Sequence, residues 1–156
     1  MFVIGRGATQ SAHCHAATLS MHMLSTYLVE DSPVIRGDLI ATLEELVPVR
    51  VVGAAEDEAT ALRWLREAGE PVDLVIVDIF LKSGSGLGVL RAAQALPQRP
   101  RMVVLTNYAR AEMRRECLAL GAERVFDKST EIDALVQYCA DLAAGNLASG
   151  VRPVPA

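Results

Sequence analysis

Asp78 closes the apolar run Leu74-Val75-Ile76-Val77 and precedes the glycine-rich turn Ser83-Gly84-Ser85-Gly86. A run of that length and Val/Ile content suits a strand buried on both faces, which in an open α/β sheet is a central parallel strand. Ligands of such sheets collect at the carboxyl ends of the strands. An acid at that end can hold a cation or attack an electrophile, whereas the same acid further back would be buried without a partner. Taken alone, Asp78 is equally well explained as the cap of the following loop, so its companions decide its role.

Three other strand candidates lead into polar groups: Tyr27-Leu28-Val29 into Glu30 and Asp31, Met102-Val103-Val104-Leu105 into Thr106, and Arg124-Val125-Phe126 into Lys128. Singly, each has an ordinary explanation, since acids and threonines cap helices and lysines lie on surfaces. Together, on parallel strands, they face one end of one sheet. Crowded carboxylates repel and need a counter-charge, and an all-oxygen set with room for water suits Mg²⁺ better than zinc. Lys128 adds a point charge of the kind that holds a phosphoryl oxygen, and Thr106 can donate its hydroxyl to that oxygen. Such a set matches metal-assisted phosphoryl transfer to an aspartate.

The elements that must position these groups alternate along the chain. After the first strand, Val34, Ile35, Leu39, Ile40, Leu43 and Leu46 recur at helical spacing behind Ser32 as N-cap and Pro33 at the first helical position. Arg50 to Ala54 reads as a second strand and Asp57 to Gly69 as a helix, amphipathic through Ala61, Leu62 and Leu65. A helix from Leu87 to Leu96 follows the glycine turn, another from Arg110 to Leu120 precedes Gly121, and a last one from Thr130 to Ala144 opens on the polar turn Ser129-Thr130-Glu131. Five β/α units with short connections imply a parallel sheet with helices on both faces. The expected organisation is an N-terminal extension over 1–24, one domain over 25–144 and a tail over 145–156.

Composition narrows the function classes. At 156 residues, 51% hydrophobic and 22% charged, the chain suits one globular domain with a real core. A net charge of −4 and no dense Lys/Arg stripe argue against direct nucleic-acid binding. Three cysteines, Cys14, Cys117 and Cys139, lack a CxxC pair and read as reduced thiols of a cytoplasmic protein. His13-Cys14-His15 has ligand chemistry, but immediate neighbours rarely close one tetrahedral site. No stretch approaches the roughly 20 apolar residues of a membrane span, and residues 1–24 lack the charged start and apolar core of a secretory signal. That segment reads as a flexible extension or as sequence upstream of a later start at Met21 or Met23.

From Tyr27 to Leu142 the chain resembles the receiver domain of two-component response regulators. The resemblance rests on Leu28-Val29-Glu30-Asp31, on Val75-Ile76-Val77-Asp78 with Gly86 beyond it, on Val104-Leu105-Thr106, and on Phe126-Asp127-Lys128-Ser129. Each piece is short; their order and spacing are specific. The resemblance implies a flavodoxin-like, doubly wound α/β fold with a five-stranded parallel sheet of order 2-1-3-4-5. It implies Asp78 as phospho-acceptor, Glu30 and Asp31 as the acidic pair serving Mg²⁺ with Asp31 the direct ligand, and the Phe80 main-chain carbonyl as a further ligand. Thr106 falls at the hydroxyl that moves toward the phosphoryl group, and Lys128 at the lysine that pairs with it. Lys82 and Ser129 stand where that family often has prolines, Asn107 where a smaller residue is usual, and Val125 where many members carry an aromatic that turns inward. Phe126, its neighbour, reads as core.

The expected function is therefore a phosphorylation-dependent switch. It takes a phosphoryl group from a histidine kinase or histidine phosphotransfer protein and acts through contact with a downstream protein, because the chain ends soon after the fifth helix. It is expected to be no enzyme beyond its own phosphorylation and dephosphorylation. A Mg²⁺-dependent phosphohydrolase with Asp78 as nucleophile is the alternative, but Phe80 stands where a general acid is wanted. A nucleotide-binding flavodoxin-like protein is a third reading, against which the acidic turn Glu30-Asp31-Ser32-Pro33 would repel phosphates.

Overall fold

The computed structural model describes residues 22–146. Ten elements alternate along them: β1 (Leu24–Val29), α1 (Pro33–Leu46), β2 (Val49–Ala55), α2 (Glu58–Glu67), β3 (Leu74–Val77), α3 (Gly86–Ala93), β4 (Arg101–Thr106), α4 (Ala111–Ala119), β5 (Arg124–Asp127) and α5 (Ile132–Ala143). All strand pairs are parallel and the sheet order is β2-β1-β3-β4-β5. This is the doubly wound, flavodoxin-like arrangement expected from the sequence.

Side-chain alternation divides the core between the two faces of the sheet. Tyr27, Val29, Val75, Val77, Val104 and Val125 pack with Ala61 and Leu65 of α2, Val89 and Leu90 of α3 and Cys117 of α4. Leu28, Leu74, Ile76, Leu105 and Phe126 point the other way, onto Leu39 and Leu43 of α1 and Leu135 and Tyr138 of α5. Phe126 meets Tyr138 edge-on at 5.9 Å between ring centroids, which is core packing as expected. Each fully buried Val, Leu or Ile contributes about 1.5–3 kcal/mol. All four residues of β3 are 0% exposed, so the strand carrying Asp78 is the best anchored element of the sheet. Burial pushes the thiols of Cys117 and Cys139 up to about 11 and about 12, which keeps both protonated near neutrality. Cys14 and the His13-Cys14-His15 run lie outside the described residues, as do most of the expected extension and tail.

The first helix starts as the sequence suggests, the Ser32 hydroxyl accepting from Ile35 N at 3.3 Å; Asp57, expected as the first residue of the next helix, instead caps it, its carboxylate accepting from Thr60 N at 2.7 Å. Elsewhere the expectations need correction. The first strand reaches back to Leu24, because Ser25 and the fully buried Thr26 continue it despite their polarity. The helix expected from Leu87 to Leu96 runs Gly86–Ala93. The apolar stripe of α1 is narrower than its spacing suggests: Leu39 and Leu43 are buried, while Val34 and Leu46 are 71% and 61% exposed. The last helix opens two residues later than expected, at Ile132. No described helix is long and apolar enough to cross a membrane.

Candidate functional site

The carboxyl ends of β1, β3, β4 and β5 deliver Glu30, Asp31, Asp78, Thr106 and Lys128 to one edge of the sheet. The backbone ladders continue past the strands to place them: Glu30 N donates to Ala55 O at 2.9 Å, Asp78 N to Val29 O at 2.9 Å and Lys128 N to Thr106 O at 3.0 Å. Glu30, Asp31 and Asp78 each offer a carboxylate oxygen within 4.8 Å of the others. Into this cluster reaches the Lys128 ammonium, which donates to Glu30 Oε1 at 2.5 Å and to Asp78 Oδ2 at 2.7 Å.

These contacts are nearly dry, with side-chain exposures of 10% for Lys128, 3% for Glu30 and 9% for Asp78. Burial alone would push the Lys128 pKa down, but its hydrogen bonds to Asp78 and Glu30 and their negative charges outweigh that and hold it above the usual lysine value. The Glu30 carboxyl is raised, chiefly by burial and further by Asp78, against the opposing pull of Lys128. By formal charge, three carboxylates against one ammonium leave an excess of two negative charges. An oxygen-only cluster with that excess fits a hard divalent cation.

The remaining expected residues stand around this centre. The Thr106 side chain is fully buried and its Oγ1 accepts from Tyr108 N at 3.2 Å. A hydroxyl that accepts there keeps its own proton for a further acceptor. Phe80 N donates weakly to Asp78 Oδ1 at 3.4 Å, and Phe80 pairs across the loop with Ser85 in an isolated antiparallel bridge. Its ring, 51% exposed, lies 4.5 Å from that of the equally exposed Tyr108, so two aromatics stand at the mouth of the site. Gly86 N donates to Ile79 O at 2.9 Å. A Cβ on Gly86 would overlap the Asp78 carbonyl oxygen, so the close return of the loop requires glycine here.

Ser129 shows what its departure from proline does. Its N–H donates to Asp127 Oδ1 at 2.8 Å and its hydroxyl to the same oxygen at 2.5 Å, bonds that a proline could not make. They hold the Asp127 carboxyl below its ordinary pKa. Ser129 is thus spent on the turn after Lys128, and it is Glu131 that precedes the helix. The Glu131 carboxylate accepts from Arg114 at 2.5 Å and from Asp127 N at 3.0 Å, which lowers its pKa.

Several contributors were not anticipated. Arg36 donates to the Glu30 carbonyl at 2.9 Å, and Glu58 accepts from Ser85 N at 3.0 Å. Arg114 donates to Val125 O at 2.8 Å, behind the position where an aromatic was expected to be lacking. In sequence, each is one more charged residue in an exposed helical turn, and no local pattern marks it.

Comparisons with known proteins bear on the family and the fold. The profile of the family described as response regulator receiver domain matches residues 26–140. Protein-glutamate methylesterase/protein-glutamine glutaminase 1 of Pseudomonas savastanoi pv. phaseolicola is 31% identical over 132 residues, covering 83% of this chain and 35% of that protein. The chain spans between 34% and 53% of the length of the first four curated relatives it matches. Among solved structures, a LuxR-family two-component response regulator from Aurantimonas sp. SI85-9A1 superposes with a TM-score of 0.69 at 26% identity, over 78% of this chain and 85% of that one. A response regulator from Burkholderia pseudomallei, solved with a phosphorylated aspartic acid, a calcium ion and citrate, shares the fold with a TM-score of 0.62 at 23% identity, over 79% of this chain and 69% of that one. A profile match running from within β1 to within α5, over strands in the order this fold demands, leaves one assignment: the chain belongs to the response regulator receiver domain family of two-component systems.

Proposed function

We propose that this domain is a phosphorylation switch in which Asp78 accepts a phosphoryl group from the phosphohistidine of a histidine kinase or a histidine phosphotransfer protein. The observation that carries this reading is the Lys128 ammonium bonded at once to Glu30 and Asp78 inside a three-carboxylate cluster. An Asp78 oxygen attacks phosphorus, the bond from phosphorus to the donor nitrogen breaks, and the imidazole leaves with the electron pair. Asp31, Asp78 and the Phe80 carbonyl, with Glu30 beside them, would hold Mg²⁺, which neutralises the phosphoryl oxygens when bound. Lys128 stays charged throughout and can follow the transferred oxygens from its present bond to Asp78. The Thr106 hydroxyl donates a hydrogen bond to one of them.

The same geometry argues against a hydrolase acting on small phosphorylated substrates. A leaving group there would need a proton donor, and two residues beyond Asp78 the structure has the Phe80 ring against Tyr108. The phosphoryl group adds about 1.5–2 negative charges at the sheet edge. Its pull on Thr106 is transmitted to Tyr108 through their hydrogen bond, and so toward α4. A downstream protein that reads the face formed by β4, α4 and β5 is the partner this implies. The Burkholderia relative, with its phosphorylated aspartic acid and calcium ion, supports the pairing of modification and divalent cation in this fold.

Intact-mass measurement after incubation with acetyl phosphate tests the reading. A single phosphoryl adduct that forms with Mg²⁺ and disappears with a chelator is the expected result; no adduct with the donor still intact would sink the proposal.

The aromatic pair at the mouth bears on lifetime. Water must reach phosphorus opposite Asp78, past Phe80 and Tyr108, with Asn107 beside them. The phosphoryl group is expected to be lost slowly. Phe80→Ala, which opens the path, is expected to speed its loss by about fivefold, a barrier change on the order of 1 kcal/mol. The check is the decay of the adduct after donor removal; equal half-lives for wild type and variant would remove the shielding role.

A further inference from the structure

We propose that Glu58, on α2, is a positioning residue for the metal site: it braces the β3–α3 loop from outside and so fixes the Phe80 carbonyl. This rests on the assignment of that carbonyl as a Mg²⁺ ligand. The loop from Ile79 to Ser85 has little regular structure of its own, yet one of its carbonyls must sit within a fraction of an ångström of its working place. Phe80 is paired with Ser85 across the loop. The N–H of that same Ser85 donates to Glu58 Oε1 at 3.0 Å, and Glu58 N donates to Ser83 O at 3.1 Å. Glu58 thus clasps both the donor and acceptor sides of the strand segment opposite Phe80.

The clasp is built into the loop's sequence. Gly84 has φ +77°, and a Cβ on it would meet the Glu58 Cβ at 2.5 Å; a Cβ on Gly88 would overlap the Glu58 carboxylate itself. Glycine at both positions is what lets the carboxylate lie over the first turn of α3, where the helix dipole favours negative charge. A second tie runs beside it. Lys82 N donates to Glu56 O at 3.4 Å, and Glu56 accepts from Arg36 at 3.4 Å and pairs with Lys82 Nζ at 3.7 Å. Those ion pairs are long and the Glu56 side chain is 40% exposed, so they contribute little. Of the two side-chain ties, the partly buried bond from Ser85 N to Glu58 is the stronger.

Calorimetric Mg²⁺ titration and amide hydrogen exchange of the metal-free protein test this on wild type, Glu58→Ala, Glu58→Gln and Glu56→Ala. Glu58→Ala is expected to raise the Mg²⁺ dissociation constant by about tenfold, the usual scale for losing a group that orients a ligand. It is also expected to speed exchange selectively over residues 79–86. Glu58→Gln, whose amide oxygen can still accept from Ser85 N, retains most of the affinity, and Glu56→Ala leaves it unchanged. A Glu58→Ala dissociation constant within about twofold of wild type overturns the proposal. So does faster exchange spread over the whole domain with Gln as impaired as Ala, the mark of general destabilisation. A wild type that binds Mg²⁺ but takes no phosphoryl group defeats the signalling reading alone, and the brace is still decided by the affinity shift; a wild type that binds no Mg²⁺ overturns the brace as well.

Discussion

Asp78→Asn is expected to give no phosphoryl adduct under conditions that fully modify the wild type, while its melting temperature holds within a few degrees. The amide keeps the shape of the side chain but lacks a nucleophilic oxygen, so group transfer has no acceptor. Stability is preserved because two effects oppose each other. The substitution weakens one hydrogen bond from Lys128, at 2.7 Å. It also removes one of three carboxylates that lie within 4.8 Å of each other, and with it their mutual repulsion. Lys128 keeps its contact with Glu30, so no buried charge is left alone. Mass spectrometry of the variant with acetyl phosphate, alongside a thermal melt, separates loss of chemistry from loss of fold. An adduct on the variant would mean that another residue accepts the group.

How much of this was legible in the sequence depends on the kind of contact. β3 was located to the residue, because four consecutive apolar residues that are all buried look the same in sequence and in structure. The start of β1 was not, since Thr26 sits wholly inside the sheet with its hydroxyl turned to Leu24 O, a bond that no pattern announces. Val34 and Ile35 fit the apolar period of α1 but lie in its first turn, at the site end of the sheet, where there is little core left to cover them. At the start of α5 the polar residues read as the opening turn of the helix, whereas Ser129 bonds back to Asp127 and Glu131 reaches Arg114 before the helix begins at Ile132.

The site itself was legible because its members are tied to strand ends. A residue that follows a buried strand has its position set by the backbone ladder, so Glu30, Asp78 and Lys128 converge although 98 residues separate the first from the last. The supporting contacts escape such reasoning. Glu58 and Arg114 act from helices and reach residues of other β/α units, Ser85 and Glu131, while Arg36 turns back from α1 to the Glu30 carbonyl at the end of its own strand. Which loop each one meets depends on helix placement over the sheet, and that is a property of packing, not of local pattern.

Lys128→Met is expected to destabilise the fold where Asp78→Asn does not, and its cost is expected to depend on pH and on Mg²⁺. Truncating one partner of a buried ion cluster costs about 3–5 kcal/mol when the opposite charges cannot escape. Here they can in part. The Glu30 pKa is already raised by burial, and Lys128 is the group that pulls it down. Without the ammonium, that carboxyl rises further and takes up a proton. A carboxyl whose pKa is higher in the folded than in the unfolded state favours folding at low pH, and the advantage is lost as pH rises through the folded value. The wild-type lysine, with its own pKa raised, remains charged across pH 5 to 8. The deficit of the variant should therefore be small near pH 5 and approach about 3 kcal/mol near pH 8. Mg²⁺ should recover part of it, because a dication among the same carboxylates supplies the missing charge, and by linkage the variant should bind Mg²⁺ more tightly than wild type. Phosphorylation should nonetheless fall by about 10²–10³, the loss typical of removing one donor to a developing oxyanion, since Mg²⁺ cannot stand where the ammonium stood. Urea denaturation at pH 5 and pH 8, with and without Mg²⁺, reads the first three effects, and the initial rate of adduct formation reads the last. Equal stability of variant and wild type at pH 8 without Mg²⁺ would show that Lys128 does not neutralise the cluster, and the account of the site given by its short contacts to Glu30 and Asp78 would fall with it.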